Sequence, residues 1–217
     1  NAITKIWEDL VYRKMYITGG IGASGGNEGF AEPYHLPNMS AYCETCASIG
    51  DIFFNHRLFS LHGEGKYFDI LEKTLYNGAL AGVNLAGDRF FYPNPLESNG
   101  QHERSAWFGC ACCPSNVCRF IPAIPGYIYS VTNKDLYVNL FASNNADIEL
   151  GSRSVRIAQE TNYPWEGKVT MIIDPEKAGR FTVRVRIPGW ARNEAIPGNL
   201  YSFAGQSEEK HKLIVNG

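Results

Sequence analysis

The spacing of the apolar residues changes near residue 130, and this change constrains the fold more than any other feature of the sequence. Before it the spacing is helical: Tyr67, Ile70, Leu71, Thr74 and Leu75 follow i, i+3, i+4, i+7, i+8. A second helix is predicted over residues 45–61, with Ile49, Ile52, Phe53 and Leu58 on or near one face. Gly63-Glu64-Gly65 separates the two, which predicts a helical hairpin with a short loop. Ile6, Trp7, Leu10 and Val11 place the start of the chain inside a further helix. After residue 134 the pattern alternates, first at residues 136–141 and again at 169–173. In residues 181–187, Phe181, Val183, Val185 and Ile187 take one face, and Thr182, Arg184 and Arg186 the other. The expected fold is mixed α and β in separate domains, with helices over residues 1–132 and an antiparallel β-sandwich over 133–217.

Residues 18–37 break both patterns. They carry Gly19, Gly20, Gly22, Gly25, Gly26 and Gly29 and two prolines, so a long loop is predicted, and long loops in compact domains are often functional. The glycines match neither a P-loop nor a dinucleotide fingerprint. Hydrophobic residues at 44% and charged residues at 19% allow a packed core and argue against disorder. A formal net charge of −2 without a Lys/Arg block points away from nucleic acid and from a polybasic membrane patch. No apolar run is long enough to span a bilayer, and residues 1–16 lack the pattern of a signal peptide. Both ends read as cut, so the chain is expected to be a fragment of a longer protein.

The six cysteines fall mostly in two tight groups, Tyr42-Cys43-Glu44-Thr45-Cys46 and Cys110-Ala111-Cys112-Cys113-Pro114, with Cys118 just beyond. Grouping favours metal or redox chemistry over a disulfide framework. Zinc takes four such ligands tetrahedrally, with sulfur favoured. Three other readings stay open at this point: a redox C-x-x-C, inert buried thiols, and a strained bridge between Cys112 and Cys113. Pro114 suits the first position of a helix, which would put Cys113 at the N-cap and Cys112 just before it. The partial positive charge there, with zinc, would favour a thiolate.

These two groups, together with Tyr16-Ile17-Thr18-Gly19-Gly20-Ile21-Gly22, Leu71-Glu72-Lys73-Thr74-Leu75-Tyr76-Asn77 and Phe90-Phe91-Tyr92-Pro93-Asn94-Pro95, resemble glycoside hydrolase family 127 and its close relative family 146. Ile187-Pro188-Gly189-Trp190-Ala191 extends the likeness into the second half. The resemblance implies part of an (α/α)6 barrel followed by a β-sandwich. It implies a bacterial, retaining β-L-arabinofuranosidase acting on terminal arabinofuranosides of plant glycans. By motif, Glu44, Cys46, Cys112 and Cys113 would hold Zn2+, Cys112 would be the nucleophile and Glu28 the general acid/base. Glu72 and Tyr92 match positions at the sugar, whereas Cys43 and Cys110 lie beside the ligands and are not expected to bind metal. Gly29 stands where the family often has Ala, and the upstream half of the barrel is missing. The compartment, bacterial cytoplasm or periplasm, is not legible, and whether the protein acts as a homodimer is open.

Under this reading a carbohydrate is the partner, and Glu28 starts protonated, its acidity weakened by burial among apolar groups. Spacing alone would leave Glu72 exposed, off the apolar stripe of its helix. Glu32, Glu64, Glu97 and Glu103 read as solvated loop charges, and His35, His56, His62 and His102 as loop or surface histidines. Trp107 and Phe108 suit either a sugar platform or a core wall. Competing functions are a glycosidase for another pectic sugar, a non-catalytic zinc-stabilised carbohydrate-binding protein, and a structural four-thiolate zinc site.

Overall fold

The computed structural model describes residues 1–208 and 210–217. It divides into two compact units. One is formed by Asn1–Pro122 with Ile187–Gly217, the other by Ala123–Arg186.

The first unit is helical. Helix α1 (Ala2–Arg13) buries Trp7, Leu10 and Val11, the face read from the sequence. Helix α2 spans Thr45–His62 and ends at Gly63, whose φ of 68° is the left-handed turn that glycine takes without strain. Helix α3 (Gly65–Thr74) follows at once, so the predicted hairpin is present. Tyr67, Ile70, Leu71, Thr74 and Leu75 are all buried, as their spacing required. Each large apolar side chain removed from water here contributes about 1.5–3 kcal/mol. Glu72 departs from the spacing argument: it is only 4% exposed, within the buried face of α3 rather than on its wet side. The helix then widens into a π-turn at Leu75–Ala79 and a short 3-10 turn at Leu80–Gly82. Helix α4 (Cys112–Phe120) buries Cys113, Pro114, Val117 and Phe120.

Residues 18–37 hold no helix. Two isolated β-bridges, Met15 with Ile21 and Ser24 with Gly29, fold the stretch back on itself. Tyr16, Ala23, Ala41 and Cys43 form a small core beneath it. The Tyr16 hydroxyl donates to Pro37 O at 3.1 Å.

The second unit is built from two three-stranded sheets, β1-β2-β6 and β3-β4-β5. The strands are β1 (Tyr129–Val131), β2 (Asp135–Val138), β3 (Asn144–Leu150), β4 (Arg153–Thr161), β5 (Val169–Pro175) and β6 (Thr182–Val185). Side chains from both sheets share one core around Leu136, Val138, Phe141, Leu150, Val155 and Ile157. Two expectations are corrected. The strands are not all antiparallel, because β6 runs parallel to β2. The strand expected over residues 181–187 is shorter, Thr182–Val185, and Arg186 lies past its end, 8% exposed. Its Nε donates to Asn139 O at 2.6 Å and its guanidinium sits 5.9 Å from the Phe141 ring, which together offset its desolvation.

Candidate metal and catalytic centre

The first cysteine group lies at the N-terminal end of α2. Glu44 is the residue before the first turn, yet its side chain makes no capping bond, which leaves the carboxylate for other partners. The stretch is stitched to residues 91–94. Thr45 N donates to Tyr92 O (3.0 Å), Asn94 N to Tyr42 O (2.9 Å), and Thr45 Oγ1 to Phe91 O (2.8 Å). The Asn94 amide reaches Cys43 O at 3.1 Å and Thr45 Oγ1 at 2.9 Å. Glu44 and Tyr92 therefore ride on one shared backbone frame.

The second group opens α4. The helix starts at Cys112, with Ala111 as its cap. Pro114 is thus the third helical residue, and the expected start two residues later is corrected. Proline is tolerated there because the first N–H groups of a helix have no internal acceptor to lose. Cys112 and Cys113 lie inside the first turn. The amino ends of α2 and α4 both favour negative charge on the groups beside them.

The two ends meet. Glu44 Oε1 accepts from the Cys112 and Cys113 thiols at 3.5 Å each. Cys46 Sγ is 3.5 Å from Cys113 Sγ, and the Cys112 and Cys113 sulfurs are 3.7 Å apart. One donor atom from each of Glu44, Cys46, Cys112 and Cys113 lies within 4.8 Å of every other. A tetrahedral zinc with bonds of about 2.3 Å sets its sulfurs about 3.8 Å apart, so these spacings and this donor set fit the ion. All six cysteines are free thiols, which removes the disulfide alternatives. Cys43 is buried and Cys110 and Cys118 are exposed; none of the three joins the cluster.

Burial pushes the Cys46 thiol up to about 12 and raises Cys113 as well. A helix end alone does not make thiolates of these two; a cation held by the cluster would supply the remaining charge. Asn116, one turn after Cys112, is hydrogen-bonded to Cys46 and favours its charged form. Arg119 donates to Asn116 Oδ1 at 2.6 Å, which orients the amide.

Tyr92 is hydrogen-bonded to Cys112, and this bond, followed by burial, raises the phenol. Phe108 packs edge-on against Tyr92 with centroids 5.6 Å apart, while Trp107 is exposed. Glu28 lies in the loop that holds the Ser24–Gly29 bridge, with a left-handed φ of 49°. It is exposed in this chain, where burial among apolar groups was expected. Its partner is Tyr42, whose hydroxyl donates to Glu28 Oε1 at 2.9 Å. Burial and this bond hold the Tyr42 phenol above its usual range. Sequence reasoning singled out neither Tyr42 nor Asn116, although Tyr42 adjoins the first cysteine group and Asn116 stands one helical turn from Cys112. Glu32, Glu64, Glu97 and Glu103 are exposed, in keeping with solvated charges. His102 stacks on Phe91 and reaches Pro93 O at 2.9 Å.

Two family models cover nearly all of the chain: the β-L-arabinofuranosidase GH127 catalytic domain over residues 1–126 and the GH127 middle domain over residues 135–217. The chain belongs to glycoside hydrolase family 127. Among GH127 relatives is the non-reducing end β-L-arabinofuranosidase of Bifidobacterium longum. It is 38% identical over 204 residues, which is 87% of this chain and 30% of that protein. A solved GH127 β-arabinofuranosidase superposes with a TM-score of 0.92 at 55% identity, over 96% of this chain and 32% of its own. A GH127 β-L-arabinofuranosidase from Geobacillus stearothermophilus T6 gives 0.81 at 46% identity, over 85% and 31%. The relatives are glycoside hydrolases, and this chain spans about a third of their length. It is a mixed helix-and-sheet piece of a GH127 protein. No helix among the described residues is long and apolar enough to cross a membrane.

Proposed function

We propose that this chain carries the nucleophile and metal site of a retaining β-L-arabinofuranosidase acting on plant glycans. In this reading residues 1–132 are the C-terminal part of an (α/α)6 barrel and residues 133–217 belong to a β-sandwich. The observation that carries it is the meeting of Glu44, Cys46, Cys112 and Cys113, donors from two remote stretches, at spacings that suit one zinc ion. Zinc, when bound, supplies the positive charge that holds buried sulfurs deprotonated at neutral pH. Glu44 at the fourth corner speaks against a closed site of four thiolates, because Cys43 and Cys110 stand apart.

Each residue then has a task. Cys112 directs a sulfur lone pair at the anomeric carbon as the bond to the leaving oxygen breaks. Glu28 gives its proton to that oxygen. In the second half Glu28, now a carboxylate, takes a proton from water. The water oxygen displaces sulfur from the anomeric carbon, and Cys112 is returned as a thiolate with net retention. Tyr92, hydrogen-bonded to Cys112, orients the sulfur and borders the sugar, with Glu72 as a second sugar contact. An arabinofuranose carrying a haloacetamide at its anomeric position tests the assignment. Mass spectrometry is expected to find the label on Cys112, whereas a label on Glu28 or Glu44 overturns it.

A further inference from the structure

Glu28 is exposed in this chain, and its carboxyl accepts a hydrogen bond from Tyr42. Two parts of this one side chain touch the Ser24–Gly29 segment. The ring lies against Gly25, where an added Cβ would stand 3.2 Å from Tyr42 Cδ2. The hydroxyl donates to Glu28 Oε1 at 2.9 Å. The backbone of the segment is closed by mutual bonds between Ser24 and Gly29, of 3.2 and 3.1 Å, so fixing its two ends fixes the carboxyl between them. Tyr42 is itself anchored. Its carbonyl accepts from Asn94 N, and the next residue, Cys43, donates its N–H to Gly22 O at 2.8 Å. Its ring leans on Tyr92, centroids 6.2 Å apart, and Tyr92 is hydrogen-bonded to Cys112.

We propose that Tyr42 is the positioning residue for Glu28, joining the acid/base carboxyl through Tyr92 to the Cys112 sulfur so that the two reacting groups keep one separation. The proposal rests on the reading of Glu28 as acid/base. A retaining reaction needs its two groups at a set distance on either side of the bond that breaks. A hydroxyl that donates to one carboxyl oxygen restricts the rotation of that carboxyl and so fixes where its other oxygen points. The titratable groups that act on the pair are Glu44 and Tyr92.

The test compares wild type, Tyr42→Phe, Glu28→Gln and the double variant in the full-length, zinc-loaded enzyme. Substrates are 4-nitrophenyl and methyl β-L-arabinofuranosides. Zinc content and Tm are measured alongside. Tyr42→Phe is expected to lower kcat/KM on the methyl glycoside about tenfold and on the nitrophenyl glycoside far less, because only the former needs its leaving oxygen protonated. In the Glu28→Gln background the same change is expected to cost almost nothing, whereas a purely structural role would cost the same in both. Equal losses on both substrates, or the same loss in the Glu28→Gln background on the nitrophenyl glycoside, overturn the proposal alone when Glu28→Gln has itself lost the methyl glycoside. Full turnover of the methyl glycoside by Glu28→Gln overturns the acid/base reading and the proposal with it.

Discussion

Asp51 is a carboxyl shut inside a helical hairpin. It is 2% exposed on α2, where its Oδ1 accepts from Asn55 Nδ2 at 3.0 Å and its Oδ2 lies 3.4 Å from Thr74 Oγ1. Thr74 has one hydroxyl hydrogen and a second acceptor, Gly19 O, at 3.2 Å. With that one hydrogen shared, the Thr74 hydroxyl only partly offsets the burial of the Asp51 carboxylate. Burial pushes its pKa up to about 7, against an ordinary value near 3.9 in the unfolded chain. A raised acid of this kind stabilises the fold fully below about pH 4, and the contribution is lost as pH rises to about 7. Wild type is therefore expected to melt several degrees lower at pH 8 than at pH 5, and Asp51→Asn to flatten that dependence; thermal unfolding at the two values measures both. Sequence reading did not single out Asp51, and it misjudged the exposure of Glu28 and Glu72, for one reason. Charge and spacing describe a residue's own element, whereas these three are governed by what other segments bring against them.

Helix α2 makes the same point at the next scale. Its buried face combines Ile49, Ile52, Leu58 and Phe59 with Thr45, Ser48, Asp51 and Asn55. The helix was legible from its apolar positions, but its polar spine was not. That spine anchors neighbours: Asn55 Oδ1 accepts from Trp7 Nε1 at 2.8 Å, and Thr45 Oγ1 donates to Phe91 O. Gly82 comes so close to Thr45 that an added Cβ would stand 2.5 Å from Thr45 Cγ2. Thr45 cannot swing away without releasing Phe91 and Asn94 and moving its neighbours Glu44 and Cys46. Gly82→Ala is expected to cost about 1–3 kcal/mol by overpacking and to weaken zinc retention. Denaturant titration and zinc analysis read the two effects, and a variant with unchanged midpoint and zinc content refutes the coupling. The start of α4 was misread by two residues because proline is accepted at several positions of a first turn, so Pro114 alone could not mark which one it fills.

Across the whole molecule, the mixed character and the helical hairpin were legible because periodicity is local. The parallel pairing of β6 with β2 was not, since register between strands more than forty residues apart leaves no mark on either strand alone. The four-residue cluster became legible only when motifs from two stretches were taken together. Two of its members, Cys46 and Cys113, lie 67 residues apart along the chain, so a metal bound there would tie remote segments of the folded state and would have no counterpart in the unfolded one. Chelation is expected to lower Tm by several degrees and zinc to restore it; calorimetry with and without chelator measures this, and an unchanged Tm refutes the assignment.

The closeness of the sulfurs has another consequence. Cys46 and Cys113 sit 3.5 Å apart with Cys112 beside them, so a small movement and the loss of two electrons to an oxidant would bond Cys46 to Cys113. A metal ion bound there would act as a protecting group as well as a cofactor. Left without metal in air, the cluster would be open to crosslinking, at the expense of the sulfur proposed above as the nucleophile.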